Sequence, residues 1–220
     1  MLVDLDAIRE SLPILLSGLK ITALVSVIGI PTGIFIGALL AYAAESRVSF
    51  LRLFSKSYVE VVRNIPFLII VYLSYFGLPK IGVVMSDLHV GLITVAFYTG
   101  GYFCEVMRAA LHSVPKGQTQ ASVSLGMRPL AVQWHIVIPQ LLSFLLPPTT
   151  SLVIMMFKET SILSVVALKE LTYQSNLLSS TTFAYVEVFG MAALLYWLCS
   201  LVLDVTGNHL ERHVEKWSMK

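Results

Sequence analysis

Twenty-four consecutive residues, Ile21 to Ala44, carry no charge. As a helix rising about 1.5 Å per residue they extend about 36 Å, more than the roughly 30 Å hydrocarbon core of a bilayer. Lipid offers no water to a missing backbone partner, so such a stretch must close its hydrogen bonds within itself, as a helix does. Ile136 to Phe157 is a second uncharged stretch. Three further apolar runs with isolated polar groups, about 57–78, about 90–112 and about 184–204, bring the expected spans to five. Hydrophobic residues make up 56% of the 220 and charged ones 13%, which excludes a soluble domain of this length. The expected fold class is an all-α integral membrane protein, one domain over 1–220.

Asp4, Asp6 and Glu10 stand where a secretory signal would be basic, so residues 1–18 read as a short outer segment. Basic residues orient the chain. With the N-terminus outside, the inner segments hold Arg47, Arg52 and Lys56, then Arg108, Lys116 and Arg128, then Arg212, Lys216 and Lys220. The outer ones hold Arg9, Lys20, Lys80 and Lys169. The C-terminus and the segment about 115–140 are therefore expected on the cytoplasmic side. Cys104 and Cys199 fall inside spans and read as small apolar residues. His209 and His213 have a zinc-compatible spacing but no third ligand. Neither a G-x-x-x-x-G-K-[ST] loop nor a G-x-G-x-x-G turn is present, so no nucleotide site, nucleic-acid role or enzymatic centre is expected on this chain.

The polar segment Lys116–Gln140 interrupts this apolar pattern. It reads as two short helices joined at Leu125-Gly126-Met127. Gly117-Gln118 opens the first, Ala121 and Ser122 are small enough for close approach, Gly126 suits a C-terminal stop and Pro129 a first helical turn. Leu125, Leu130, Trp134, Ile136 and Val137 give the pair an apolar side, fit either for a soluble partner or for the inner leaflet. Elsewhere, Gly33-x-x-x-Gly37 permits close helix contact. Pro66 should kink the second span near Arg63, and Pro147-Pro148 should bend or interrupt the fourth. Ile162–Leu168 is too short to span and folds back. Charges at membrane depth need a partner or a wet cavity. Glu105 and Arg108, three apart, are either a mutual ion pair or, with Tyr98 and Tyr102, part of a polar path. Arg63 and Asn64 sit beside the proline kink; Lys158, Glu159 and Thr160 read as a gate or a structural cluster.

Several ordered segments carry a family resemblance: Tyr58-Val59-Glu60-Val61-Val62-Arg63-Asn64-Ile65-Pro66, Tyr75-Phe76-Gly77-Leu78-Pro79, Gly101 to Arg108, Ser113 to Gln118, Ser124-Leu125-Gly126, Ile138-Pro139-Gln140 and Lys158-Glu159-Thr160-Ser161. Over roughly 18–205 the chain resembles the permease subunits of ATP-binding-cassette importers for polar amino acids. The resemblance implies a permease that dimerises with itself or a sister permease. It also implies substrate delivery by an extracytoplasmic binding protein, and two cytoplasmic ATPases that hold the ATP and magnesium. The family's G-Q-x-E-A-A signature stands here as Gly117-Gln118-Thr119-Gln120-Ala121-Ser122, with Gly126 as its later glycine. Gln120 in place of glutamate removes a charge from the expected ATPase contact. In such a permease the polar residues at membrane depth, Arg63, Asn64, Tyr98, Tyr102, Glu105 and Lys158–Thr160, are on their own chemistry the expected substrate path. A self-contained carrier driven by an ion gradient is the rival reading; five spans without an inverted repeat disfavour it.

Overall fold

The structure, a computed structural model, describes residues 5–218, with side chains over 10–115 and 117–216. Helix α1 runs unbroken from Leu5 to Ala44 through Pro13 and Pro31. The separate outer segment expected over 1–18 is thus absent over its described residues, which belong to α1. Tertiary packing explains the extension: Leu15 is fully buried in a cluster with Leu171, Leu178, Val188 and Ala192.

Glycines set the closest helix contact. Ideal Cβ atoms at Gly29, Gly33 and Gly37 would meet Val95, Thr99 and the Gly100 carbonyl at 2.9, 2.5 and 2.7 Å. Those partners lie on α4 (Asp87–Ser113). Without side chains on α1 at these positions the two backbones approach closely, and dispersion rather than the hydrophobic effect holds them in lipid. Ser86 caps α4, its hydroxyl accepting from the His89 N–H.

Between α1 and α4 the expected second span is not a kinked helix but a broken one. Helix α2 (Ser49–Asn64) and the run Phe67–Ile81, which begins as α3 (Phe67–Tyr72), meet at 107°. Pro66 offers no N–H and drives the residue before it out of the helical region, so Ile65 is extended (φ −108°, ψ 128°). Two successive extended residues, Ile65 and Pro66 (ψ 142°), turn a kink into a corner.

Helix α5 (Lys116–Ser124) follows α4 after Val114 and Pro115. The second loop helix of the sequence reading, α6 (Pro129–Val132), does not stand alone. It continues through a π turn (Gln133–Val137) into α7 (Ile138–Glu159), forming one apolar run from Pro129 to Val166. Pro139 lacks the N–H that an α turn would aim at the His135 carbonyl, and the wider turn sits just ahead of it. A second π turn, Leu73–Gly77, precedes Pro79 in the same way. Pro147 and Pro148 do not interrupt α7.

After α7 the 3-10 segment Thr160–Val166 extends the same run and buries Leu163 and Val166, with Leu168 just beyond it, in the main core. Glu170 then caps α8 (Leu171–Thr182), and α9 (Tyr185–Ser218) closes the described chain. Among the described residues four helical runs are long and apolar enough to cross a membrane, and the α2–α3 corner makes a fifth if it is one span.

Candidate functional site

Tyr98, Tyr102 and Glu105 stand at i, i+4 and i+7 on α4 and so share one face. Their order along that face leads toward the end of α4 that joins α5. The Tyr98 and Tyr102 hydroxyls are 3.3 Å apart, with ring centroids at 5.0 Å, and Phe67 packs on Tyr98 at 4.9 Å. Lys158 is exposed and makes no ion pair with Glu159 among the described residues. Thr160 is fully buried and donates its hydroxyl to the Phe157 carbonyl at 2.6 Å. It closes a helix end inside the core.

At the α5 end of this face the charges converge. Arg108 donates to Glu105 Oε1 at 2.7 Å, and Arg63 reaches Glu105 Oε2 at 3.3 Å across the α2–α4 contact. The expected mutual pair of Glu105 and Arg108 is therefore one bond of a larger network. Glu45, just past α1, accepts from Arg108 Nε at 3.5 Å and lies 3.1 Å from His112 Nε2. Burial pushes the Glu45 carboxyl up, but the hydrogen bonds and charges of His112 and Arg108 outweigh it and hold the group below the ordinary carboxylate range. Asn64 turns its amide back onto the Glu60 carbonyl at 2.7 Å, in the last turn of α2.

Arg63, Glu105 and Arg108 of this network line an open cavity of about 570 Å³. Lys56, Glu60 and Arg63 of α2 face Glu105 and Arg108 of α4 across it. Sequence reasoning missed Lys56 and Glu60 as lining residues. The signal existed: charges at 56, 60 and 63 fall on one helical stripe. A cavity with both signs of charge offers partners to both ends of a zwitterion.

The loop forms a second surface. Gly126 adopts φ +81°, and Met127 N–H bonds the Ser122 carbonyl at 3.1 Å while Gly126 N–H bonds that of Val123 at 2.9 Å. This paired pattern ends α5 as a Schellman motif, which only a residue tolerant of left-handed backbone completes cheaply. Gln118 accepts from the Gln140 amide at 2.6 Å, tying α5 to the base of α7. Ser122 is buried, whereas Gln118, Gln120 and Ala121 are exposed. Leu125 and Trp134 are 84% and 57% exposed, leaving an uncovered apolar edge on a polar helix.

One buried group has no counterpart in the sequence reading. Glu170, fully buried, accepts from the backbone of Thr172 (2.9 Å) and Tyr173 (2.6 Å) and from the Tyr196 hydroxyl (2.9 Å), with Thr22 at 3.5 Å. Burial pushes its carboxyl above the ordinary range against the pull of these four donors. The network joins α1, α8 and α9, and nothing in the local sequence around Glu170 marks it.

Comparison with known proteins agrees with this arrangement. The family model for binding-protein-dependent transport system inner membrane components matches residues 29–216. The probable glutamine ABC transporter permease protein GlnM of Bacillus subtilis (strain 168) is 32% identical over 214 residues, spanning 97% of this chain and 99% of its own. The glutamine transport system permease protein GlnP of Escherichia coli (strain K12) is 29% identical, spanning 96% and 98%. A solved structure described as a crystal structure of an amino acid ABC transporter with histidines superposes with a TM-score of 0.88 at 30% identity, covering 97% of this chain and all of that one. With the match extending over most of its length, and with a polar face on α4 ending beside a capped loop helix, the chain belongs to the family of binding-protein-dependent transport system inner membrane components.

Proposed function

We propose that this permease carries polar amino acids inward, with Tyr98, Tyr102, Glu105 and Arg63 along the path and α5 as its contact with a cytoplasmic pair of ABC ATPases. The substrate class is supported by the two relatives named for glutamine and by the solved amino acid transporter. The charged cavity supports it independently: a substrate carboxylate competes for Arg63, and its ammonium competes for Glu105. A second copy or a sister permease completes the path, and an extracytoplasmic binding protein delivers the substrate. ATP and magnesium reside on the ATPases. The N-terminus lies outside and the C-terminus inside, as the basic residues favour.

The observation that carries this reading is the seat of α5. Val114 and Pro115 join it to α4, the helix bearing the polar face, and Gly117, Gln118, Gln120, Ala121, Ser122, Leu125 and Gly126 make up the offered surface. Closure of the ATPases on ATP moves this surface and, through it, the inner end of α4.

Gly126→Val tests the coupling. Left-handed backbone costs a residue with a Cβ about 1–2 kcal/mol, roughly a tenfold loss of the capped form. ATP-driven uptake in proteoliposomes containing the co-purified ATPase should fall by about that factor while membrane insertion is unchanged. Uptake at the level of the unaltered protein would remove α5 from the coupling role.

A further inference from the structure

Helix α2 has a face that neither the transport path nor the protein core uses. Its buried stripe (Ser55, Val59, Val62) packs on α1 and α4, and its charged stripe lines the cavity. A third stripe, Phe50, Leu53 and Phe54, is apolar and 74, 66 and 55% exposed. The 107° corner at Ile65-Pro66 means that α2 and the Phe67–Ile81 run cannot both follow the membrane normal. A helix with an uncovered apolar stripe flanked by charge suits the plane of the interface rather than a straight crossing.

Charge chooses the occupant. Between Glu45 and Glu60 there is no acidic residue, while Arg47, Arg52 and Lys56 are basic. Glu45 itself is engaged by Arg108 and His112 and leaves Arg47 and Arg52 without a carboxylate partner. Arg52 finds only the Ser46 carbonyl at 3.4 Å and the Ser49 hydroxyl at 3.3 Å, and Arg47 makes no ion pair among the described residues. We propose that the segment Arg47–Phe54 is an inner-leaflet anchor. Phe50, Leu53 and Phe54 enter the acyl region, and Arg47 and Arg52 hold the phosphate of an anionic phospholipid. Basic side chains gain from an anionic surface in proportion to their number, and an arginine fork matches two phosphate oxygens. The placement in the inner leaflet rests on the orientation proposed above; the lipid preference does not, because a detergent-solubilised chain has no sides.

The test is a native mass-spectrometry titration of the purified chain with phosphatidylglycerol and with phosphatidylcholine. Phosphatidylglycerol should bind more tightly. R47Q/R52Q should weaken it roughly 25-fold, about fivefold per charge, and leave phosphatidylcholine unchanged. Equal affinity for the two lipids, or an unaltered titration for the variant, overturns the proposal. Displacement of phosphatidylglycerol by millimolar inorganic phosphate would reveal a soluble-anion site instead. Disulfide cross-linking of Phe54→Cys between two chains would show that a second copy covers the face. If the double variant does not fold, the unaltered protein decides: its affinity for phosphatidylglycerol should drop between 50 and 500 mM salt, and an unchanged value refutes the role of charge. Cysteine-accessibility labelling at Ser49 in oriented membranes reports the inner-leaflet placement separately.

Discussion

Adding one methyl group to Gly33 should part the two best-packed helices of the protein. An ideal Cβ there lies 2.5 Å from Thr99 Cβ and 2.6 Å from the Ala96 carbonyl oxygen. Ordinary contact begins near 3.4 Å, so the shortfall is 3.4 − 2.5, about 0.9 Å. The Thr99 hydroxyl and methyl could rotate, but the Ala96 carbonyl belongs to the α4 backbone and cannot. Helix α1 must move away along a stretch that also includes Gly29 and Gly37. Overpacking of this kind costs about 1–3 kcal/mol. Alanine also gains about 1 kcal/mol of helix propensity over glycine, which hides part of the loss. Gly190→Ala supplies the control, because Gly190 is helical and exposed with nothing within 4 Å of its added Cβ. The difference between the two variants isolates the clash. At about 2–4 °C per kcal/mol for a chain of this size, Gly33→Ala should melt about 2–12 °C below Gly190→Ala. Heating the purified chain in detergent and following the loss of the monodisperse peak by size exclusion gives both values. Melting points that agree to within about 1 °C would refute the claim that this contact limits stability.

Two other perturbations follow from the charged groups. Glu45 has a folded-state pKa below its unfolded value, so its stabilising contribution is complete above the ordinary carboxylate range and disappears as pH falls through the lowered value. Melting temperature against pH should therefore decline more steeply on the acid side for the unaltered protein than for Glu45→Gln, and parallel curves would show that the His112 and Arg108 contacts contribute nothing. Glu170→Ala removes an N-cap, leaves two backbone N–H groups without their acceptor and takes from the Tyr196 hydroxyl one of its two partners, Thr172 Oγ1 remaining at 3.0 Å, a loss on the order of 3 kcal/mol. Glu170→Gln keeps an acceptor for part of the network and should retain much of that stability, as a denaturant or thermal series would report; equal losses would mean that the network is incidental.

The class of fold was legible because lipid leaves so few options: an uncharged run as long as Ile21–Ala44 must be a helix. Gly126 was equally legible, since its place after a short polar helix anticipates its φ of +81°. What escaped was set by distant partners. Residues 10–18 look like an independent outer segment until Leu15 meets α8 and α9. Pro66 announces a disturbance, but that Ile65 and Pro66 are both extended, and so open the turn to 107°, is not written in the local sequence. The separate second loop helix fails because nothing between Pro129 and Ile138 ends a helix; the π turn widens it without stopping it. Within the site, the α4 face was readable from spacing alone. Its link to Arg63 was not, because that pair spans 42 residues and exists only through the α2–α4 crossing. Glu170 lay further out of reach, since its donors come from three helices.

The two attachments of α5 are mechanically unequal. On one side regular α-helix runs to Ser113 and only Val114 and Pro115 intervene; on the other, Gly126 to Arg128 lead through α6 into a π turn. A regular helix is stiff along its axis, whereas a π turn with a proline beyond it has lost bonding that would resist flexure. Under the coupling proposed above, a displacement imposed on α5 would be absorbed by bending at Gln133–Val137 and delivered as translation to α4. The helix carrying Tyr98, Tyr102 and Glu105 would then act as the pushrod, and α7 as the post against which the lever pivots.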